Sequence, residues 1–547
     1  MKTAADLFIA ALELEGVKYI FGVPGEENLD LLEAIRKSKI RFVATRHEQA
    51  AVFMAATIGR LTGKAGVALS TLGPGATNMV TAIAHAQLGG MPIVVITGQK
   101  PLKKSKQGRF QIIDVVKMMA PLTKFSQSIA SVDRIPSLIR QAFKSAEAER
   151  PGAVHLELPE DIAGELTDLQ PYQPILVRRA GPDPEAIDQA VELISKAKHP
   201  LILIGSGANR KRIRKHLEKF IAKTKIPFAT TQMGKGVIDE TSEYYLGNTA
   251  LSSGDYIHCA FAKADLVIAV GHDITEKPPV ILTPDQHQVI HVNFSEAEVD
   301  DVYLPVCEVI GDVAHSIWAM TEKIQPSAHW DFSYYQRLRK KLLDHLSEKT
   351  KDSGFPLKPQ RMVKELREVM PSDGILSLDN GMYKLWIARA YPAKEQNTVL
   401  LDNALATMGG GLPSAIAAKL LNPEIEVLAL VGDGGFMMNS QEMETAVRLK
   451  LNLTVVILND NGFGMIKWKQ AAANYQDFGL SFGNPDFVKY AESYGAQGFR
   501  LERSEDFKPL LVKVMKMPGV KIIDCPIDYS ENILVFNEEL KKKTCDL

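Results

Sequence analysis

Cysteine is scarce in this chain of 547 residues: Cys259, Cys307, Cys525 and Cys545 are widely scattered, with no CxxC spacing. That scatter argues against both a disulfide framework and a thiolate zinc site. An excess of either charge is also missing, since 64 Lys and Arg face 65 Asp and Glu for a formal net charge of -1. Phosphate backbones are held by a concentrated basic surplus, so nucleic acid is not an expected partner. No apolar run reaches the roughly 20 residues that cross a bilayer, which leaves no membrane partner. The opening MKTAADLFIAALELEG carries Asp6, Glu13 and Glu15 within its apolar pattern. A signal-peptide core tolerates no such charges, so the segment reads as an amphipathic helix, and a cytoplasmic location is expected. Low-complexity tracts are absent too. With 46% hydrophobic and 24% charged residues, the composition is that of a folded soluble protein rather than a disordered one.

What is present is an alternation of short β-rich runs with helical patterns. KYIFGVPG, RFVATRHE, AGVALSTLGPG, MPIVVITGQ and GAVHLELPEDI read as strands in a first unit, residues 1–165. HPLILIGSGA, KIPFATT, ADLVIAVGHDI and HQVIHVNFS do the same in a second, 184–330. GILSLDNG, EVLALVGDGG, LTVVILNDNG and GVKIIDCPID mark a third, 355–547. Strands alternating with helices predict βαβ units, hence an α/β protein of three doubly wound parallel-sheet domains. PYQPILVRRAGPDPE reads as a linker, and the charged helical stretch YYQRLRKKLLDHLSEKTKDSG separates the second unit from the third.

The most specific local signal is Gly432-Asp433-Gly434-Gly435 after one strand and Asn459-Asp460-Asn461-Gly462 after the next. A Gly-Asp-Gly turn lets backbone N–H groups approach an anion. Two carboxylates on one sheet edge are hard oxygen ligands of the kind Mg²⁺ prefers beside phosphate oxygens. The plain alternative is two ordinary turns punctuated by Asp and Gly. In the first unit, Thr45-Arg46-His47-Glu48-Gln49-Ala50-Ala51 sets a glutamate where a strand turns into an Ala-rich helix. Partly desolvated there, Glu48 could share a hydrogen bond with a neutral ring nitrogen. A helix-start acid stabilised by the dipole is the other reading. HEQAA lacks the second His of HExxH, so His47 is not a zinc candidate.

The Gly-Asp-Gly turn followed by an Asn-rich loop resembles the thiamine diphosphate signature. Further segments narrow the resemblance to acetolactate synthase catalytic subunits, across essentially the whole chain: Phe21-Gly22-Val23-Pro24-Gly25, Gly59-Arg60-Leu61-Thr62-Gly63, GPGATN at 73–78, ITGQ at 96–99 and TMGGGLP at 407–413. This resemblance implies Mg²⁺ held by Asp433, Asp460 and the carbonyl of Gly462. The family more often has Asn at position 460, and Asp is a stronger, charged ligand. It also implies that Glu48 protonates the cofactor's aminopyrimidine, with Asn78 nearby. Gly25 borders the thiazolium, Phe110-Gln111 meets substrate, and Met408 props the cofactor in its bent shape. Gly381, Gly432, Gly434, Gly435, Asn461 and Met465 are the other cofactor-binding candidates.

Three departures refine the expectation. Gly205-Ser206-Gly207-Ala208-Asn209-Arg210 begins like GxGxxG but has Arg in place of the third Gly, which argues against a true NAD site. The biosynthetic acetolactate synthases, which bind FAD, carry an Arg-Phe-Asp-Asp-Arg-like segment where this chain has GHDITEK, 271–277. The resemblance is therefore closer to the FAD-free catabolic type, with FAD not expected and a structural central domain. Trp468 stands one residue before the position that favours 2-ketobutyrate in the biosynthetic enzymes, a rotation of about 100° on a helix. Pyruvate is accordingly the expected acceptor, and packing is the other explanation of Trp468. The basic run from Lys100 to Arg109, with Lys103, Lys104 and Lys106, reads as a solvated loop or as an attractor of carboxylate substrates. Lys541-Lys542-Lys543 reads as a solvated tail.

The implied activity is the decarboxylation of pyruvate and condensation of the two-carbon unit with a second pyruvate to give 2-acetolactate. The implied assembly is a homodimer or homotetramer with active sites at the subunit interface. A thiamine-dependent 2-keto acid decarboxylase, or another thiamine-dependent lyase or oxidase, is the alternative. Decarboxylases of that kind use a His-His pair, which the first unit lacks. A non-catalytic α/β binding protein fits Glu48, Met408, Asp433 and Asp460 poorly.

Overall fold

Long runs of Val, Ile, Leu and Ala buried on both faces make the central strands, as parallel sheets covered by helices require. In the computed structural model, which describes residues 1–103, 108–175, 179–276, 280–542 and 545–546, they form three six-stranded sheets. In sheet order the first contains Arg41–Ala44, Tyr19–Gly22, Gly66–Ser70, Ile93–Gln99, Ala153–Pro159 and Ser126–Ser128. The third contains Val399–Leu400, Ile375–Leu378, Val427–Gly432, Leu453–Asn459, Val520–Pro526 and Gln497–Arg500. Both follow the order 2-1-3-4-6-5 within their own domain. The central sheet runs Tyr245–Asn248, Phe228–Thr230, Pro200–Ile204, Leu266–Val270, Gln288–Asn293 and Cys307–Ile310, the order 3-2-1-4-5-6. Every pairing within the three sheets is parallel.

Strand order locates the crevices. In doubly wound sheets ligands bind beyond the strand carboxyl ends, where the connections diverge. In the first domain that switch point lies between Tyr19–Gly22 and Gly66–Ser70, so it carries Gly25 and the 70–78 turn. In the third it lies between Ile375–Leu378 and Val427–Gly432, and carries Asp379 to Gly381 and the Gly-Asp-Gly turn.

The first and third domains share one core. Helix Glu48–Thr62 is Ala-rich and buries Ala51, Phe53, Ala55 and Ala56 in the same cluster as Ala415, Ile416 and Ala418 of helix Gly411–Leu421. Small side chains on both helices let the axes approach closely. Arg60, on the same helix, donates to the carbonyls of Leu401 (2.9 Å) and Val399 (3.2 Å), and burial lowers its pKa to about 10. The opening segment forms helix Ala4–Leu14, capped by Thr3 and buried through Leu7, Phe8 and Leu12. The charged stretch before the third domain is helix Ser333–Ser347, anchored by Tyr335, Leu338 and Leu342. Among the described residues, no helix is long and apolar enough to cross a membrane.

One expectation is corrected. Cys259 and Cys545 form a disulfide across a sequence separation of 286 residues. Spacing could not announce it, because the fold alone carries the chain's end back to helix Tyr256–Lys263 of the central domain, where the Tyr334 hydroxyl donates to the Cys545 carbonyl at 2.8 Å. Cys307 and Cys525 stay free and buried. Alkylation of denatured, unreduced protein should therefore label two thiols, and four after reduction; four without reductant would show the bridge absent. Lys541 and Lys542 belong to the short helix Leu540–Lys542, and Lys543 lies outside the described residues.

Candidate active site

Asp433 opens the helix after strand Val427–Gly432, and Asp460 follows the adjacent strand Leu453–Asn459. Parallel neighbours in register thus bring both acids to one edge. Burial raises the pKa of Asp433. Burial pushes Asp460 up to about 7, and the charge of Asp433 adds to the effect. Oxygens crowd here: the Asn484 side-chain amide donates to Asp433 Oδ2 (2.8 Å), Asn459 Oδ1 (3.1 Å) and Asn461 Oδ1 (3.2 Å). The Lys467 ammonium packs over Gly462. Oxygens converging on one donor, with the buried Asp433 carboxylate beside the half-buried Asp460, are the donor set a divalent cation fits. The Tyr529 hydroxyl, beside the same acids, is buried with no hydrogen-bond partner among the described residues. Asn461 adopts φ 52°, the left-handed conformation that Asn tolerates, which turns the loop back after Asp460.

The glycines of the turn are spatial requirements. A side chain at Gly435 would meet the Asp379 carboxylate at 2.7 Å, and one at Gly434 the ring of Phe463 at 3.0 Å. Gly381 and Gly432 face the Tyr383 ring. Asp379 accepts from the N–H of Asn380 (2.7 Å) and of Gly409 (2.8 Å to the nearer oxygen), while the Asn380 amide donates to the Thr407 carbonyl at 2.7 Å. These bonds hold the loop of Met408, which is half-buried. Met465 is half-buried on helix Gly464–Ala472.

The other half of the site belongs to the first domain. Glu48 is buried at the start of its helix, and the Asn78 amide donates to its Oε2 at 2.9 Å. Gly75 leaves room beside Glu48 Oε1, and Gly73 lies against the Gln111 carbonyl. Gly25 packs on Thr71 with no space for a side chain. Glu48, Asn78 and Gln111 thus gather around one turn, with Gln111 exposed and at φ 58°. The two halves touch through Asn439, whose amide donates to Gln49 Oε1 at 3.0 Å; no described hydrogen bond joins Glu48 itself to the third domain.

Lys100 is no solvated base. It is buried and paired with Glu27 at 2.5 Å, while Lys103 pairs with Glu165; Lys104 and Lys106 lie outside the described residues. Trp468 is buried against Phe536 and donates to Asn537 at 2.8 Å, so packing accounts for it.

The central domain holds a crevice of about 700 Å³ at its own switch point. Its glycine loop offers no free cradle. The N–H groups of Gly207, Ala208, Asn209 and Arg210 donate to the carbonyls of Gly271, Gly205, Ser206 and Ala208. Ion pairs line the walls: Arg150 with Asp273 at 2.9 Å, and Glu149 with Arg179 at 2.6 Å and Arg210 at 3.5 Å. Lys277, at the end of GHDITEK, lies outside the described residues.

Asp379, Lys467, Asn484 and Tyr529 escaped the sequence reading. Asp379 alone had a signal, as an acid just past a strand and two residues before a candidate glycine.

Three α/β domains, with an oxygen-rich turn on the last and a buried helix-start glutamate on the first, define a thiamine diphosphate-dependent enzyme. Family descriptions match each part: the thiamine pyrophosphate enzyme N-terminal TPP binding domain over residues 2–118, the central domain over 187–320 and the C-terminal TPP binding domain over 379–525. The chain belongs to the acetolactate synthase family. It is 32% identical to the catabolic acetolactate synthase of Raoultella terrigena, covering 98% of this chain and 96% of that protein. It is 32% identical to the acetolactate synthase of Bacillus subtilis (99% and 96% covered) and 30% identical to the acetolactate synthase isozyme 2 large subunit of Escherichia coli (97% and 96%).

Proposed function

We propose that this protein is a thiamine diphosphate- and Mg²⁺-dependent carboligase that decarboxylates pyruvate and joins the two-carbon unit to a second pyruvate, giving 2-acetolactate. The observation that carries the reading is full-length similarity to acetolactate synthases together with the paired Asp433 and Asp460. In this reading Asp433, Asp460 and the Gly462 carbonyl hold Mg²⁺, and Gly432, Gly434, Gly435 and Asn461 border the diphosphate. Gly381, Met408 and Met465 line the cofactor's bent body. Thiamine diphosphate, when bound, supplies the carbon nucleophile and the electron sink for loss of CO₂. Glu48, steadied by Asn78, exchanges a proton with the aminopyrimidine ring nitrogen, while Gly25 and Gln111 border the substrate and keep water from it.

A homodimer or homotetramer with active sites at the subunit interface belongs to this reading, with a homodimer as the smallest active form. Exposed Phe110, Ile113, Met437, Met438, Ile466 and Phe478 surround the site and offer an apolar face to a second copy. The cytoplasm is the proposed compartment, where the Cys259–Cys545 bridge is an exception to the usual reduced state of thiols. Purified protein given pyruvate, thiamine diphosphate and Mg²⁺ should yield one 2-acetolactate and one CO₂ per two pyruvates consumed. Acetaldehyde as the main product would overturn the carboligase assignment.

The central crevice supports a flavin-free enzyme, because its loop N–H groups are engaged. The protein should purify colourless and keep full activity without added FAD. A yellow preparation that loses activity when flavin is stripped would refute this.

A further inference from the structure

Glu48 can serve a ring nitrogen only if the turn before it is held still. In that turn, Thr45 to His47, the N–H groups of Arg46 and His47 point at the third domain rather than into their own helix, while the Thr45 N–H donates to the Gly22 carbonyl at 2.9 Å. The Glu442 Oε1 atom accepts from the N–H of Arg46 at 2.9 Å and of His47 at 3.1 Å. Glu442 opens helix Glu442–Arg448, is fully buried, and its Oε2 accepts from the Thr445 hydroxyl at 2.6 Å. Two neighbours reinforce the grip: Arg448 donates to the Ala44 carbonyl, and Asn439 to the Gln49 side chain. The segment that follows Asp433 therefore holds backbone or side chain on both sides of Glu48.

We propose that Glu442 is a positioning residue for the proton-transfer group, fixing the height and direction of Glu48 by accepting the N–H groups of Arg46 and His47 in the preceding turn. It rests on the assignment of Glu48 made above. Glu442 touches neither substrate nor cofactor in this role; what it supplies is one carbonyl-like oxygen at a fixed reach. Burial pushes its carboxyl up to about 7, and a proton on Oε2 beside Thr445 leaves the two Oε1 bonds in place. The acceptor oxygen is what matters here, and the negative charge is not. Displacement of a catalytic group by about 1 Å costs on the order of 10²-fold in rate.

The test compares Glu442→Gln, Glu442→Asp and Glu442→Ala in the full-length protein loaded with thiamine diphosphate and Mg²⁺. The readouts are exchange of the cofactor's C2 hydrogen with deuterated water, cofactor Kd and the thermal melt. Gln keeps an oxygen at the same reach, so E442Q should keep most of the exchange rate. Asp keeps the charge but withdraws the oxygen by one methylene, so E442D should lose about 10²-fold in exchange, with cofactor Kd little changed. E442A should resemble E442D. Should E442A fail to fold, the contrast between E442Q and E442D still decides. Wild-type exchange in E442D, beside a Glu48→Gln control that has lost it, would overturn the positioning role while leaving the Glu48 assignment intact. Equal losses in E442Q and E442A would also overturn it, by making charge the requirement. Wild-type exchange in the Glu48→Gln control would remove the foundation for both.

Discussion

Asp433→Ala and Asp460→Ala should each abolish acetolactate formation at subsaturating Mg²⁺, through lost cofactor affinity rather than lost folding. Each substitution removes a charged oxygen from a site where Asn459 and Asn461 supply only neutral ones. Neutral oxygens alone do not offset the dehydration of Mg²⁺, which binds reluctantly without carboxylates or phosphates. The fold should tolerate the change, because the charge of Asp433 raises the pKa of Asp460 and removal of either acid relieves that repulsion. The same repulsion has a pH consequence. Asp460, pushed up to about 7 by burial and by Asp433, takes up a proton as the pH falls through that value, and proton and cation then compete for it. Mg²⁺ and cofactor affinity should weaken on acidification and level off on the alkaline side. Calorimetric titration of the wild type and both variants checks all of this. Retention of cofactor binding and rate by either variant at low Mg²⁺ would refute the metal assignment.

Glu48→Gln should fold, assemble and bind thiamine diphosphate almost normally, yet lose about 10²–10⁴-fold in rate, the usual contribution of a general acid–base group. Gln keeps the shape and can still receive the Asn78 amide that now bonds Glu48 at 2.9 Å. It cannot exchange a proton with the pyrimidine ring. The loss should appear in the C2 hydrogen exchange of the cofactor, measured by NMR after acid quench, before any product step. A Glu48→Gln protein with wild-type exchange would refute the assignment whatever happened to product formation.

How far the chain could be read depended on where a strand sits in its sheet. Ile93–Gln99, Leu266–Val270 and Leu453–Asn459 are buried along nearly their whole length, and continuous apolar runs announce them. Five strands of the three six-stranded sheets passed unread: Ser126–Ser128, Tyr245–Asn248, Cys307–Ile310, Val399–Leu400 and Gln497–Arg500. Each lies at a sheet edge, where one side lacks a strand neighbour and the demand for apolar residues relaxes. Trp468 shows the same limit at one residue, since its indole is placed by Phe536 and Asn537 from the far end of the chain.

The sequence by itself determined the α/β class, the Gly-Asp-Gly and Glu48 turns and the catabolic resemblance, because glycine conformation, strand periodicity and short motifs are local properties. Only the tertiary structure decided that the Asn484 amide reaches three oxygens around Asp433, that Cys259 meets Cys545, and that Glu442 holds the turn before Glu48. Those pairs lie 51, 286 and about 400 residues apart. At such separations nothing in local composition encodes a contact; it exists because buried strands fall into register and the helices between them share a core.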